Sequence, residues 1–233
     1  MGREGRTNTY YALHLDLRGK RCVVVGGGRI AERKTRGLLE GGADRVTLIS
    51  PAATAALVAL AEQGSIQWLR REYQEKDAEG ATLVFAATDS RIVNERIMQD
   101  ARSAGALVNQ ADEAAEGDFI APSTVRSGPL LMSVSTSGTS PALAKRIRSE
   151  LEDRYAEPYA WWAERLGELR ATILKEKKLA TAMKRAMLQE AAEEAELDLQ
   201  GVRRSPQRGD ETIEAWGSRL QRRTSLDGGV DRI

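Results

Sequence analysis

Sulfur and imidazole are almost missing from this chain. Its 233 residues hold one cysteine, Cys22, and one histidine, His14. A lone cysteine builds neither a disulfide framework nor a thiolate metal cluster within one chain. A lone histidine rules out a multi-histidine metal centre. No metal site of the protein's own is therefore expected. The net charge of +1 provides no overall basic surface for nucleic acid and no acidic tail. No apolar run is long enough to span a bilayer. The polar opening "MGREGRTNTYY" lacks an apolar core of signal-peptide length. Nucleic acid and membrane are set aside as partners, and a cytoplasmic protein is expected. What remains is a globular composition, 41% hydrophobic and 30% charged. The length suits one large domain or two small ones.

The first half alternates two periodicities. "RCVVVG" (Arg21–Gly26) reads as a short buried strand, and "RIAERKTRGLLEGG" after it as a helix closed by Gly41–Gly42. "RVTLIS" gives a second strand, "PAATAALVALAEQG" a helix with Pro51 near its start, and "SIQWLR" a third strand. "ATLVFAAT" is a fourth strand. The helix "DSRIVNERIMQDARSAG" follows, with Asp89 or Ser90 as its cap, and "ALVN" is a fifth strand. This order predicts an α/β fold: a Rossmann-type parallel sheet with helices on both faces.

The pattern changes after Asn109. "GDFIAPSTVRSGPLLMSVSTSG" reads as two β-type runs joined at "RSGP". A helix then starts at "TSPALAKRIRSELEDRY", with Ser140 as cap and Pro141 as first residue. From Pro158 the chain reads as helix again. Trp162, Leu166, Leu169 and Ile173 form one apolar stripe, and Ala180, Met183, Met187 and Ala191 a second. The end is polar and glycine-containing. It is expected to be partly disordered, with a short helix around Ile213–Leu220. The divisions drawn are 1–112, 113–154, 155–200 and 201–233.

Three glycines interrupt the first strand–helix junction. Gly26, Gly28 and Ala31 fit G-x-G-x-x-A. The first glycine makes the tight turn, the second admits a pyrophosphate to the backbone, and the small third residue allows close helix–strand packing. The helix N-terminus then faces the anion. Gly26, Gly27, Gly28, Arg29, Ile30 and Ala31 are the expected cofactor-binding turn. The second strand ends in Ser50–Pro51, where a carboxylate for the adenosine ribose is usual. Ser50 and Pro51 are placed at that ribose, with NAD favoured over NADP. Arg29 and Arg33 could meet a phosphate, although Arg33 reads as a solvated helix residue. Thr88 and Asp89 end the fourth strand and should line the cofactor crevice.

Taken together, "LDLRGKRCVVVGGGRIAERK", "VFAATDSRIVN", "NQAD" and "DFIAPSTVRSGPLLMSVSTSGTSPALAKRIRSELE" resemble the siroheme synthase family. The likeness is to its precorrin-2 dehydrogenase/sirohydrochlorin ferrochelatase module, over roughly Tyr10 to Leu151. It implies NAD-dependent oxidation of precorrin-2 to sirohydrochlorin, with Fe²⁺ insertion following in many members. Fe²⁺ or Co²⁺ would be a substrate. The resemblance also implies a homodimer, with the small α+β second domain as its dimerisation domain and a C-terminal helical region. Larger members fuse a methyltransferase to this module. Nothing after Leu151 reads as one, so precorrin-2 is expected from a separate enzyme.

Such an oxidation needs a hydride acceptor and a base. Asp112, ending "NQAD", matches the family's catalytic aspartate. Its neighbours Glu113, Glu116 and Asp118 read as loop surface. The carboxylate-rimmed tetrapyrrole needs cations and polar donors. Asn109, Arg126 in the turn between the two second-domain strands, and Lys145 beside Arg146 and Arg148 are the candidates. Ser135, Thr136 and Ser137 before the helix N-terminus join them. Gln110 stands where the family has a small apolar residue. His14 reads as structural or partly exposed, and Cys22 as core. Two rivals stay open: dehydrogenase activity alone, and a non-catalytic module that senses NAD. A sensor would need the glycine turn but not Asp112 or the "SGTSP" segment.

Overall fold

The structure is a computed structural model and describes residues 10–110 and 117–227. The chain divides into two compact units, Met1–Ala121 with Ser137–Ser140, and Pro122–Thr136 with Pro141–Ile233. Among the described residues, no helix is long and apolar enough to cross a membrane.

The first unit is a five-stranded parallel sheet. Its strands are β1 (Arg21–Val25), β2 (Arg45–Ile49), β3 (Gln67–Leu69), β4 (Leu83–Ala86) and β5 (Leu107–Gln110). They lie in the order β3-β2-β1-β4-β5. β1 is central and buried on both faces, which is why its sequence is continuously apolar. Cys22 and Val24 enter one core with Leu48, Leu57 and Phe85, while Val23 and Val25 enter another with Ile97 and Met98. That alternation is the two-residue period of a strand. Helices α1 (Arg29–Glu40) and α2 (Ala55–Glu62) supply the first core, and α3 (Arg91–Ser103) the second. The strands are added in one direction from β1 to β3 and in the other from β4 to β5, so the sheet has its switch point between β1 and β4, where this topology opens a crevice at the carboxyl ends.

One expectation needs correction in this unit. The second helix starts at Ala55, capped by the Thr54 hydroxyl, and Pro51 lies before it in an exposed loop. Pro51–Ala53 cannot join the helix because the loop folds across the glycine turn, where the Thr54 amide donates to the Gly27 carbonyl at 3.0 Å. Asp118, read as loop surface, is exposed and also makes bonds. Its carboxylate accepts from the Val108 amide and from Arg102, tying the chain back along β5.

In the second unit, β6 (Ser123–Ser127) and β7 (Leu130–Val134) form an antiparallel hairpin on helix α4 (Pro141–Lys175). α4 runs unbroken through Pro158, so the sequence division at residue 154 falls inside one helix. Proline lacks the amide that would bond four residues back. Burial of Ala144, Ala160, Trp162, Leu169 and Ile173 along the same helix offsets that loss. α5 (Thr181–Leu199) and α6 (Ile213–Asp227) pack on α4 and on each other. The polar end expected to be partly disordered is, as far as Asp227, ordered structure. Trp216 and Leu220 of α6 are fully buried in a core with Trp162 and Met187.

Charges fasten these three helices. Arg219 reaches both Glu194 and Glu211. Asp198 accepts from Trp162 Nε1 at 2.9 Å, from Arg208 at 2.8 Å and from the Ser205 amide at 3.0 Å. Burial alone would raise the Asp198 pKa, but these donors outweigh it and hold the carboxyl below its ordinary value. A hydrogen bond to a charged partner contributes about 1.5–3 kcal/mol. Trp162→Phe removes that donor and keeps a ring, so a loss of about 2 kcal/mol is expected. Urea unfolding followed by circular dichroism measures it. An unchanged midpoint would remove this bond from the account.

Candidate functional site

The glycine turn joins β1 to α1 at the carboxyl edge of the sheet, and its three glycines do different work. Gly26 has φ of 118°, and a Cβ there would stand 2.2 Å from the Ala87 carbonyl oxygen. A Cβ on Gly27 would stand 1.8 Å from the Ala52 carbonyl oxygen and 2.8 Å from the Ser50 hydroxyl. The protein's own backbone therefore excludes a side chain at both positions. Gly28 differs: its φ is −85°, and nothing lies within 4 Å of where its Cβ would be. The fold does not demand glycine there, but a ligand approaching the backbone would. Gly28 is also the N-cap of α1, and no side chain caps that end. Amides without side-chain partners beside open space are what a pyrophosphate requires. The observed turn thus fits a dinucleotide.

Around the turn, the structure brings several expected residues together. Ala31 is fully buried against the sheet, as the motif requires. Arg29 and Ile30 are exposed at the start of α1, and Arg33 is exposed further along. Ser50 is buried against Gly27, and its carbonyl accepts from Trp68 Nε1 at 3.0 Å. Thr88 sits beside Gly26, its amide nitrogen 3.1 Å from the site of a Gly26 Cβ. Asp89 is exposed and does not cap α3. Ser90 does, accepting from the Val93 amide. A serine whose hydroxyl already folds back on the helix leaves Asp89 no capping bond to make.

Two residues of this site escaped the sequence reading. Asn94 is buried in α3 and clasps Thr88. It accepts from the Thr88 hydroxyl at 2.7 Å and amide at 3.2 Å, and donates to the Thr88 carbonyl at 3.0 Å. A single asparagine in a helix has no local pattern to announce this. Glu32 of α1 supplies a carboxylate beside the β2–α2 loop, accepting from the Thr54 hydroxyl at 2.8 Å. That hydroxyl, together with Arg36, holds Glu32 below the usual carboxylate range. An acid was sought at the end of β2, and the one present comes from α1.

Asn109 is buried at the end of β5, and its Nδ2 donates to the Phe119 carbonyl at 2.8 Å. Neighbouring Gln110 is equally buried. Arg126 is not in the hairpin turn. It lies within β6 opposite Leu131, exposed, and Gly128–Pro129 make the turn. Lys145 is exposed on α4 of the same unit. Ser135 and Thr136 belong to the second unit and Ser137 to the first, with φ of 53° at Ser137. Asp112, Glu113 and Glu116 lie outside the described residues. His14 is exposed, and Cys22 is buried, which pushes its thiol up to about 11.

Comparison with known proteins gives this geometry its relatives. Residues 13–123 match a family model described as "Putative NAD(P)-binding", and residues 127–154 match "Sirohaem biosynthesis protein central". Siroheme synthase 1 of Aeromonas salmonicida is 40% identical over 164 residues, covering 70% of this chain and 35% of that protein. The chain is thus similar to siroheme synthases over both matched segments. Siroheme synthase of Methylococcus capsulatus is 38% identical over 164 residues, covering 70% of this chain and 34% of its own. The chain thus spans about a third of the length of these curated relatives. A solved structure named SirC, precorrin-2 dehydrogenase, superposes with a TM-score of 0.72 at 26% identity, covering 91% of this chain and 100% of that one. The first family model takes in all five strands, so the open glycine turn lies in a dinucleotide-binding unit. The second spans β7 and the start of α4.

Proposed function

We propose that this protein oxidises precorrin-2 to sirohydrochlorin with NAD, in siroheme biosynthesis. The observation that carries the reading is the open space at Gly28, beside the uncapped first turn of α1. The family and the SirC likeness supply the substrate. NAD rather than NADP is favoured by Glu32, whose charge beside the β2–α2 loop disfavours a 2′-phosphate.

The nicotinamide, when bound, supplies the hydride acceptor. The rest is the work of this chain's residues. Gly28 and the first amides of α1 hold the pyrophosphate, with Arg29 and Ile30 at the helix entrance. Ser50 and Pro51 border the adenosine ribose. Thr88, held in place by Asn94, borders the crevice beside Gly26. As one hydrogen leaves substrate carbon as hydride, a substrate proton must pass to a base. Asp112 is proposed as that base. Asn109, Arg126, Ser135, Thr136, Ser137 and Lys145 are proposed around the substrate. Fe²⁺ or Co²⁺ would be a second substrate, Asp112 then accepting pyrrole protons. A cytoplasmic homodimer completes the proposal.

An anaerobic absorbance assay tests this. The protein is mixed with enzymatically generated precorrin-2 and NAD, and NADH and the sirohydrochlorin spectrum are followed together. They are expected to rise in equal amounts. NAD binding without either product would sink the dehydrogenase and leave a sensor. Adding Fe²⁺ or Co²⁺ then shows whether metal insertion exceeds the protein-free rate.

A further inference from the structure

In the first unit, Lys34 has no counterion among the described residues. Lys34 lies on α1, half-buried, with Nζ 5.4 Å from the centre of the Phe85 ring on β4. Phe85 meets Phe119 edge to face at 5.4 Å. Among the described residues, no oxygen accepts from Lys34. Glu32, two residues away on α1, is bonded to Thr54 and Arg36, and Asp118, next to Phe119, to Arg102 and the Val108 amide. Burial, with Arg33 close by, lowers the Lys34 pKa to about 8.

A second orphan lies on the same sheet face. Asn109 is the register partner of Phe85, so their side chains leave the sheet together. Its Nδ2 is bonded to Phe119, but its Oδ1 is buried and has no partner among the described residues. An ammonium and an amide oxygen, both unpaired, therefore flank the Phe85–Phe119 pair at the carboxyl end of β4 and β5. Groups left unpaired at a crevice reduce stability and are found where a ligand completes them. Lys34 stands five residues into α1 from Arg29, about 7 Å along the axis from the turn that faces the dinucleotide's phosphates, and its ammonium lies over the Phe85 ring.

We propose that Lys34 is a substrate-binding residue whose ammonium holds a carboxylate of the acidic substrate at the carboxyl end of β4. This rests on the tetrapyrrole reading above, because a carboxylate-rimmed ring brings the missing charge. The aromatic face under the ammonium keeps it half-dry and strengthens the pair when a carboxylate arrives.

Lys34→Met, which keeps length and removes charge, is the test, with Lys34→Arg as the conservative variant. In the full chain, Lys34→Met is expected to raise KM for precorrin-2 at least tenfold. It should change kcat less than twofold, leave the Kd for NADH unchanged, and raise Tm. Lys34→Arg should recover part of the KM. An unchanged KM overturns the proposal. So does a parallel rise in the NADH Kd, which would hand Lys34 to the cofactor phosphates. A lower Tm with unchanged KM would make it a structural residue. If the wild type does not oxidise precorrin-2, the functional reading fails on its own. Lys34 is then judged by fluorescence titration with an octacarboxylate porphyrin. A tenfold weaker Kd for Lys34→Met upholds it, and equal affinities or no binding by either protein refute it.

Discussion

Gly28→Val is expected to fold and to lose NADH affinity about a hundredfold, whereas Gly27→Ala is expected to unseat the first unit. The two residues are adjacent, and their surroundings decide the difference. At Gly27 even a methyl group would sit 1.8 Å from the Ala52 carbonyl oxygen. That obstacle is backbone, tied down by the Thr54 amide on the Gly27 carbonyl. Overpacking of this kind costs about 1–3 kcal/mol even where neighbours yield, a large part of a stability of about 5–15 kcal/mol. At Gly28 there is open space and an ordinary φ of −85°, so valine fits. Valine is a poorer N-cap than glycine, which costs about 1 kcal/mol. Its branches would fill the place where a pyrophosphate meets the backbone. Losing two charge-assisted bonds of about 1.5 kcal/mol each gives the hundredfold. Fluorescence titration with NADH and thermal unfolding of both variants measure the contrast. Unchanged NADH affinity in Gly28→Val would mean that the turn serves something other than a dinucleotide.

Asp112→Ala and Asp112→Asn are expected to lower turnover of precorrin-2 by about 10²–10⁴ while binding NADH normally. A positioned base contributes that much because it removes a proton in the transition state without first being collected from solvent. Asparagine keeps the shape and cannot accept the proton. The residual rate should also lose the rise with pH that an ionising carboxylate imposes. Single-turnover kinetics across pH, with NADH affinity measured alongside, separates chemistry from binding. If Asp112→Asn keeps more than a tenth of the wild-type rate, the base lies elsewhere.

The sheet was readable because β1, β2 and β4 are short apolar runs closed by glycine, serine or threonine, and β1 is buried on both faces. The glycine motif was readable as a type, but not the division of labour within it. That Gly27 is forced by Ala52 depends on a loop that crosses from another strand. The same crossing explains why Pro51, a good first helical residue by rule, stands outside α2. Glu32 was invisible because its partner Thr54 is brought near by tertiary folding, and Asn94 because its bonds to Thr88 depend on how the chain turns from β4 into α3. Arg126 was placed in the turn because "RSGP" was taken whole, although the hairpin closes on Gly128–Pro129. The end of the chain misled by composition. Its arginines and glutamates look solvated, yet Arg219 pairs with Glu211, and Trp216 in the same helix is buried.

The scarcity of sulfur has a practical side. Cys22 sits in the central strand with no exposure, and a thiol raised to about 11 scarcely reacts with alkylating reagents. Its labelling rate therefore clocks the opening of the first unit alone. Three of the four tryptophans, Trp161, Trp162 and Trp216, lie in the second unit, so most intrinsic fluorescence reports on that one. The chain thus carries a chemical clock in one unit and a mainly optical gauge of the other. Run together along a denaturant series, they tell whether the sheet and the helices melt as one cooperative body or as two.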